Sequence, residues 1–506
     1  MSLNLGRTLR QSALNFPNST ACILGDSKLS YRELDQEACR VANWLKKSGV
    51  QPRDHVALMM PNVPGFTASY FGILYTGATV VPLNVLLKGQ EIQYFLENSD
   101  AVHFIFHEMF AEEAKKALQK IGRSIEASIY STAGLQPWKE QPAEFDIFPT
   151  SSEDTAVILY TSGTTGKSKG AELTHFNIYD NTRFSCERLT MKDLGKITPI
   201  TQGDTALVCL PLFHSFGQVV IQNAFIMGGA TLSYLPKFTP SDAVKIIERD
   251  RCTFFAGVPT MYFAILNMPA DEVGNRLGTL KYCISGGASL PVEVLESWEK
   301  RFTTEILEGY GLSETSPVAT FNSLWKGRKV GSVGPAILGC ETAIANDQGQ
   351  FLKSGEIGEI WIRGYNIMKG YYKNPVATRE VITPEGWFKS GDIGKMDSDG
   401  FVFILDRKKD MVIRGGYNVY PREIEEFLYT HPAVREAAVI GIPDAKLGEE
   451  VKAVVSLKEG KKATPQEIME FCKENLASYK YPREVEIIAD LPKGPTGKIL
   501  KRELRK

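Results

Sequence analysis

Ala156-Val157-Ile158-Leu159-Tyr160-Thr161-Ser162-Gly163-Thr164-Thr165-Gly166-Lys167-Ser168-Lys169-Gly170 is the stretch that decides the architecture. Its first four residues are a continuous apolar run that reads as a buried strand. The eleven residues from Tyr160 hold three glycines, five hydroxyl side chains besides Tyr160, two lysines and no acid. Glycine lets the backbone turn tightly and approach an anion with its N–H groups pointing inward. Hydroxyls add donors and lysines add positive charge. A strand running into such a loop is a phosphate cradle.

Blander readings weaken on inspection. A surface linker would share the Gly/Ser/Thr content but has no reason to carry two lysines against a buried strand. Gly166-Lys167-Ser168 matches the end of a P-loop, but the first glycine of that motif would fall where Thr161 stands. No G-x-G-x-x-G spacing occurs in the loop.

The stretch resembles the signature loop of adenylate-forming enzymes: acyl-CoA synthetases, aryl-CoA ligases, luciferases and peptide-synthetase adenylation domains. Ser168 stands where the usual form has proline. Four more strings fall in family order behind it: Ser285-Gly286-Gly287-Ala288-Ser289-Leu290, Glu308-Gly309-Tyr310-Gly311-Leu312-Ser313-Glu314-Thr315, Ser390-Gly391-Asp392 and Pro492-Lys493-Gly494-Pro495-Thr496-Gly497-Lys498. Each alone reads as a turn or a basic tail; their order and number carry the resemblance, which spans the chain.

The resemblance implies roles. Thr161, Ser162, Gly163, Thr164, Thr165, Gly166 and Lys167 would grip ATP's β- and γ-phosphates. Gly287 and Ala288 would lie along adenine and the acyl group. Tyr310, framed by Glu308, Gly309 and Gly311, would stack on adenine. Ser313 or Thr315 would meet phosphate, and Glu314 would hold Mg²⁺, an ion that takes few protein carboxylates plus phosphate oxygens. Asp392 would accept from the ribose hydroxyls, and Arg407 would bridge ribose and phosphate. Lys498 would be the catalytic lysine, stabilising the charge of an in-line phosphoryl transition state. His214, in Pro211-Leu212-Phe213-His214-Ser215-Phe216-Gly217, would stand near the adenylate, with a satisfied core histidine as the alternative. Gly415, Gly416 and Tyr417 would guide the pantetheine arm of CoA. Asp406 would be a hinge.

The acid is narrowed by charge. No acidic residue occurs from Thr205 to Pro236, so an amino-acid substrate would bury an unpaired ammonium. The strings at 257–262 and 309–317 look most like fatty acyl-CoA synthetases, and Gly257 leaves room for a tunnel suited to a medium or long chain. Aryl acids stay open, as does a carrier protein in place of CoA.

Composition excludes other classes. The 506 residues carry a formal net charge of −1, which gives no electrostatic reason to expect nucleic acid or an anionic membrane. Eight scattered cysteines form no C-x-x-C pair and read as free thiols of a reducing cytoplasm. No signal-peptide pattern opens the chain. Prolines and polar residues break the uncharged stretches Val56–Leu87 and Thr205–Pro236, so neither reads as a membrane span. The oligomeric state is left open, a homodimer among the options.

The expected fold is α/β. A large N-terminal domain, 1–405, would hold parallel-rich sheets covered by helices and a small β-barrel-like unit at 335–405. A small mobile C-terminal α+β domain, 406–506, would follow. Alternating strand and helix signals support the first part: Leu34, Ala38, Val41 and Leu45 share a helix face, while Val56–Met60, Thr79–Pro82 and Val102–Phe106 read as strands. Pro421 and the capping box Thr464-Pro465-Gln466-Glu467 open helices in the second.

Overall fold

The computed structural model describes residues 2–134, 136–161, 168–189, 199–323, 327–494 and 497–505. Two large sheets form the N-terminal domain. One has seven strands in the order Gly370–Tyr371, Lys169–Thr174, Thr155–Thr161, Thr79–Pro82, His55–Met59, His103–His107 and Glu126–Tyr130. The other has eight, in the order Val318–Phe321, Ile306–Gly311, Tyr282–Ser285, Phe254–Gly257, Thr205–Val208, Thr231–Tyr234, Thr20–Leu24 and Ser27–Ser30. Both are parallel in the middle and antiparallel at an edge.

Their strands are continuous apolar runs because both faces are covered. The helix Pro64–Tyr75 shows the extreme: it is apolar all round and buried from Gly65 to Tyr75. Gly72 lets it approach the helix Tyr31–Lys47, for a Cβ there would sit 2.6 Å from Val41 Cβ.

The unit expected to be barrel-like is an open antiparallel sheet of four strands, Cys340–Ala345, Gly358–Gly364, Phe388–Met396 and Val402–Arg407. Four short strands pair only with sequence neighbours, and nothing closes first against last. The last of them ends in Asp406 and Arg407.

A separate small C-terminal domain follows, with its own core around Ile424, Leu428, Val439, Val455 and Ile468. Helices Pro421–Tyr429 and Pro465–Asn475 pack with a sheet led by Val434–Asp444 and Gly448–Leu457. The Thr464 capping box forms as expected: its hydroxyl accepts from Glu467 N at 3.2 Å, and Glu467 Oε2 accepts from Thr464 N at 2.7 Å. No helix among the described residues is long and apolar enough to cross a membrane.

Candidate active site

Strand direction assembles the site. Phe254–Gly257, Tyr282–Ser285 and Ile306–Gly311 run parallel as neighbours, so the segments leaving their carboxyl ends emerge side by side. These carry Gly257–Thr260, Gly286–Leu290 and Tyr310–Thr315. Glu308 ties two of them together: Leu290 N donates to its Oε1 at 3.3 Å. Burial pushes the Glu308 carboxyl up to about 7, against the pull of Arg422 from the small domain.

The basic glycine-rich loop arrives from the other sheet. Thr155–Thr161 and Lys169–Thr174 pair antiparallel with Thr161 opposite Lys169. The loop thus closes a hairpin, whereas a P-loop would lead into a helix, which agrees with the missing glycine at 161. Ser162, Gly163, Thr164, Thr165, Gly166 and Lys167 lie outside the described residues. At the loop's edge, Thr161 Oγ1 donates to Glu314 Oε1 at 3.0 Å. Tyr371 OH donates to the same oxygen at 3.0 Å. The two donors orient a buried carboxylate in a short 3₁₀ turn, Ser313–Thr315.

Glycine is required nearby for space. A Cβ on Gly311 would fall 1.7 Å from Pro317 O. Thr315 is fully buried and its hydroxyl is spent locally, accepting from Leu312 N at 2.8 Å and donating to Pro317 O at 2.6 Å. Of the pair expected at phosphate, Ser313 alone is partly exposed.

Asp392 is the electrostatic centre. It is buried, accepts from Tyr310 OH at 2.7 Å through Oδ2, and lies 3.2 Å from Arg407 Nε through Oδ1. Asp392 and Arg407 are direct partners across two antiparallel strands, so the sheet itself sets this pair. Burial and the neighbouring Asp392 charge hold the Tyr310 hydroxyl well above its usual range.

Lys498 enters this cleft from the small domain. Protein packed around it and the repulsion of Arg407 push its ammonium down to about 8, while Asp392 and Asp410 pull the other way. Lys409, depressed in turn by burial and Arg407, adds a third cation. His214 is pushed down to about 4, first by burial and then by the Lys498 charge, so it is neutral. Its Nδ1 accepts from Phe216 N at 3.3 Å, which leaves Nε2–H as the donor. Beside Lys498, Gly497 O accepts from Thr260 Oγ1 of the large domain at 3.2 Å.

A family profile described as AMP-binding enzyme matches residues 9–372, and one described as AMP-binding enzyme C-terminal domain matches 423–498. The chain belongs to the AMP-binding enzyme family. A long-chain-fatty-acid–CoA ligase of Bacillus subtilis (strain 168) is 36% identical, over 98% of this chain and 93% of its own length. A feruloyl-CoA synthase of an Amycolatopsis species is 35% identical, over 97% and 96%. Among solved structures, ATP-bound MatB from Rhodopseudomonas palustris superposes with a TM-score of 0.90 at 32% identity, over 100% of this chain and 98% of that one. Its apo form superposes at 0.80. The ATP-bound form thus superposes more closely than the apo form on this AMP-binding enzyme.

Other expected residues of the AMP-binding enzyme stand elsewhere. Gly415 and Gly416, with φ of +55° and +85°, make the two-residue turn of a hairpin between Val412–Arg414 and Tyr417–Val419. Tyr417 is 60% exposed and stacks on Tyr479 of its own domain at 4.8 Å, outside the Asp392 cleft. Gly287 takes φ of +78°, with Ala288 next to it partly exposed. Space beside Gly257 is filled: a Cβ there would meet Phe255 Cζ at 3.1 Å and Tyr262 Cε2 at 3.3 Å, rings packed on buried Trp298. Tyr371 and Lys409 had no role in the sequence reading. Lys409 could have been found from the run Arg407-Lys408-Lys409; Tyr371 had no local signal.

Proposed function

We propose that this protein is an AMP-forming acid–CoA ligase whose acid is a fatty acid of medium or long chain. Family membership and the names of its relatives support the acid–CoA ligase class. The observation that carries the chemistry is the convergence of Lys498, Arg407 and Asp392 in one cleft next to neutral His214.

An oxygen of the substrate carboxylate attacks the α-phosphorus of ATP, an acyl–O–P bond forms, and pyrophosphate leaves. Lys498 and Arg407 neutralise charge that develops on the α-phosphoryl oxygens. Each Asp392 oxygen has a lone pair beyond its present partner and accepts from the ribose hydroxyls. Tyr310, its hydroxyl fixed on Asp392, presents its ring to adenine. Ser313 and the loop from Thr161 to Lys167 hold the departing phosphates.

Glu314 fits a Mg²⁺ site of the open kind, with one oriented carboxylate and nearby hydroxyls in place of a three-carboxylate cage. Bound there, the ion would neutralise phosphate charge. The His214 tautomer suits donation from Nε2 to an acyl or phosphoryl oxygen and not proton removal.

In the second half-reaction the CoA sulfur attacks the acyl carbonyl carbon and AMP leaves. Gly415–Tyr417 is too far round the small domain to take part in the present arrangement, so the small domain rotates about Asp406. Asp406 is built for a pivot: Oδ1 accepts from Arg407 N at 2.7 Å and Oδ2 from Arg422 N at 2.9 Å, joining the last large-domain strand to the first small-domain helix.

Apolar side chains beside the Gly286–Leu290 segment support a fatty acid. Phe216 lies 3.2 Å from where a Gly286 Cβ would be, and Val258 lies 3.7 Å from that of Gly287. The filled space beside Gly257 favours a second reading, a compact aryl acid, which the feruloyl-CoA synthase relative also supports. Pyrophosphate release over straight-chain acids from two to eighteen carbons, benzoate and cinnamate, with and without CoA, separates them. Turnover peaking on medium or long chains supports the first reading; a peak on benzoate or cinnamate replaces it with the second. Acyl-AMP formation without CoA turnover points to a carrier protein.

A further inference from the structure

The described residues on either side of 495 and 496 pair as the limbs of a hairpin: Leu500 N donates to Pro492 O and Gly494 N to Lys498 O, each at 2.8 Å. Lys498 rides on its return limb. These bonds, with Gly497 N on Gly494 O at 2.9 Å, join the limbs to each other, and contacts outside the hairpin orient Lys498. The small domain supplies the constraint from two sides. On the outgoing limb, Lys493 Nζ lies 2.7 Å from Glu436 Oε1. Glu436 is 4% exposed, and its other oxygen is buried without a partner among the described residues. On the return limb, Lys501 Nζ lies 2.7 Å from Glu425 Oε1, which also accepts from Val439 N at 2.7 Å.

Both carboxylates are rooted in rigid elements. Glu425 sits on the helix Pro421–Tyr429, next to the fully buried Ile424 and one turn from the fully buried Leu428. Glu436 sits on the strand Val434–Asp444. Exposed ion pairs contribute almost nothing, because water competes and long side chains lose entropy. The Glu425–Lys501 pair is the more enclosed, with side chains 16% and 19% exposed, while in the other pair Glu436 is 6% and Lys493 34% exposed. A displacement of about 1 Å at a reacting group can cost about a hundredfold in rate, so a tether that fixes the tip has consequences that its own stabilisation does not measure.

We propose that Glu425 and Glu436 are positioning residues for adenylation: through Lys501 and Lys493 they make the Lys498 hairpin a rigid finger of the small domain, delivered to the cleft and withdrawn from it as one piece. All four residues belong to the small domain, so the tethers survive its rotation and the finger needs no reassembly in each cycle. The inference rests on the reading of Lys498 given above.

The test uses the full-length enzyme with Glu425→Gln, Lys501→Met and Glu436→Gln. Acid-dependent pyrophosphate release reports adenylation, and CoA-dependent conversion of supplied acyl-AMP reports the thioester step. Each variant is expected to slow adenylation about ten- to a hundredfold while the thioester step stays within about twofold. The swapped pair Glu425→Lys/Lys501→Glu should recover part of the loss. Equal loss in both half-reactions, with a lowered melting temperature, would mean ordinary structural ion pairs and overturn the proposal. So would unchanged adenylation in Glu425→Gln and Lys501→Met while Lys498→Ala abolishes it. If Lys498→Ala itself adenylates normally, the reading of Lys498 fails and the inference falls with it.

Discussion

Two hairpins of the small domain, at 492–500 and 412–419, meet opposite surroundings. The hairpin at 492–500 is pressed into the large domain: Gly497 O accepts from Thr260, and a Cβ on Gly497 would come within 2.9 Å of Val258 Cγ2. The hairpin at 412–419 has nothing within 4 Å of a Cβ on Gly416, and Tyr417 packs only on its own domain. One motif lies against the large domain while the other is presented to solvent. A rigid domain bearing both can serve two half-reactions only in turn.

The harshest way to break the comparison is to blunt the docked hairpin. Lys498→Ala should lower adenylation by about 10²–10³-fold, the cost of losing one donor aimed at a developing oxyanion. Conversion of supplied acyl-AMP by CoA should change little, because that step is proposed to use the other hairpin. Stopped-flow pyrophosphate release and a thioester assay on the same preparation give the two numbers. Equal loss in both would mean that the two hairpins are not functionally separate.

The pivot comes next. Asp406→Pro removes the carboxylate that holds Arg422 N, a cap of ~1 kcal/mol, and fixes φ where rotation needs freedom. The thioester step should slow about tenfold, as expected when a backbone rearrangement costing ~1–2 kcal/mol is blocked. Adenylation should fall less, since the present arrangement already serves it. A burst of acyl-AMP that accumulates before CoA turnover is the expected trace; an unchanged ratio of the two rates would remove Asp406 as the hinge.

Much of this was readable in the chain because it is local. The apolar run Val56–Met60, the capping box at Thr464 and the proline at 421 each determine their own element, and each appears within a residue or so of its expected place. The motif strings likewise marked Asp392, Arg407, Tyr310 and Lys498, which the fold brings into one cleft. What could not be read depends on distant partners. Thr20–Leu24 joins a sheet beside Thr231–Tyr234, a pairing that no local pattern encodes. Tyr371 reaches Glu314 only because its two-residue strand adds to the edge of Lys169–Thr174. Gly257 looked like an opening because glycine is small, but Phe255 and Tyr262 decide what its space is worth. The π-helix Phe216–Asn223, which follows His214, has no signature in its sequence.

The cleft's own electrostatics predict a pH profile that the exposed hairpin does not share. The protein around Lys498 and the charge of Arg407 hold it at about 8 in the free enzyme, below its ordinary value, although the residue keeps access to solvent. It is charged below that pH and loses its proton above it. Adenylation kcat/KM, which reports the free enzyme, should therefore decline above pH 8, approaching about tenfold per unit. Lys498→Arg, which stays charged, should flatten this limb at a lower plateau. A decline of equal size in the arginine variant would assign the titration to another group.

The gentlest probe is the contact that distinguishes the two hairpins. Thr260→Val keeps the shape of the side chain and deletes the hydroxyl that donates to Gly497 O. A neutral hydrogen bond contributes about 0.5–1.5 kcal/mol, so adenylation should fall about two- to tenfold. The sign of the companion effect is the informative part. If Thr260 helps to dock the hairpin at 492–500, weakening it shifts the domain towards its other orientation, and the thioester step should hold steady or quicken slightly. If the bond merely stabilises the large domain, both rates should fall together and the melting temperature with them. A small change in the ratio of half-reactions at constant stability is what a docking contact produces, and a local packing contact does not produce it.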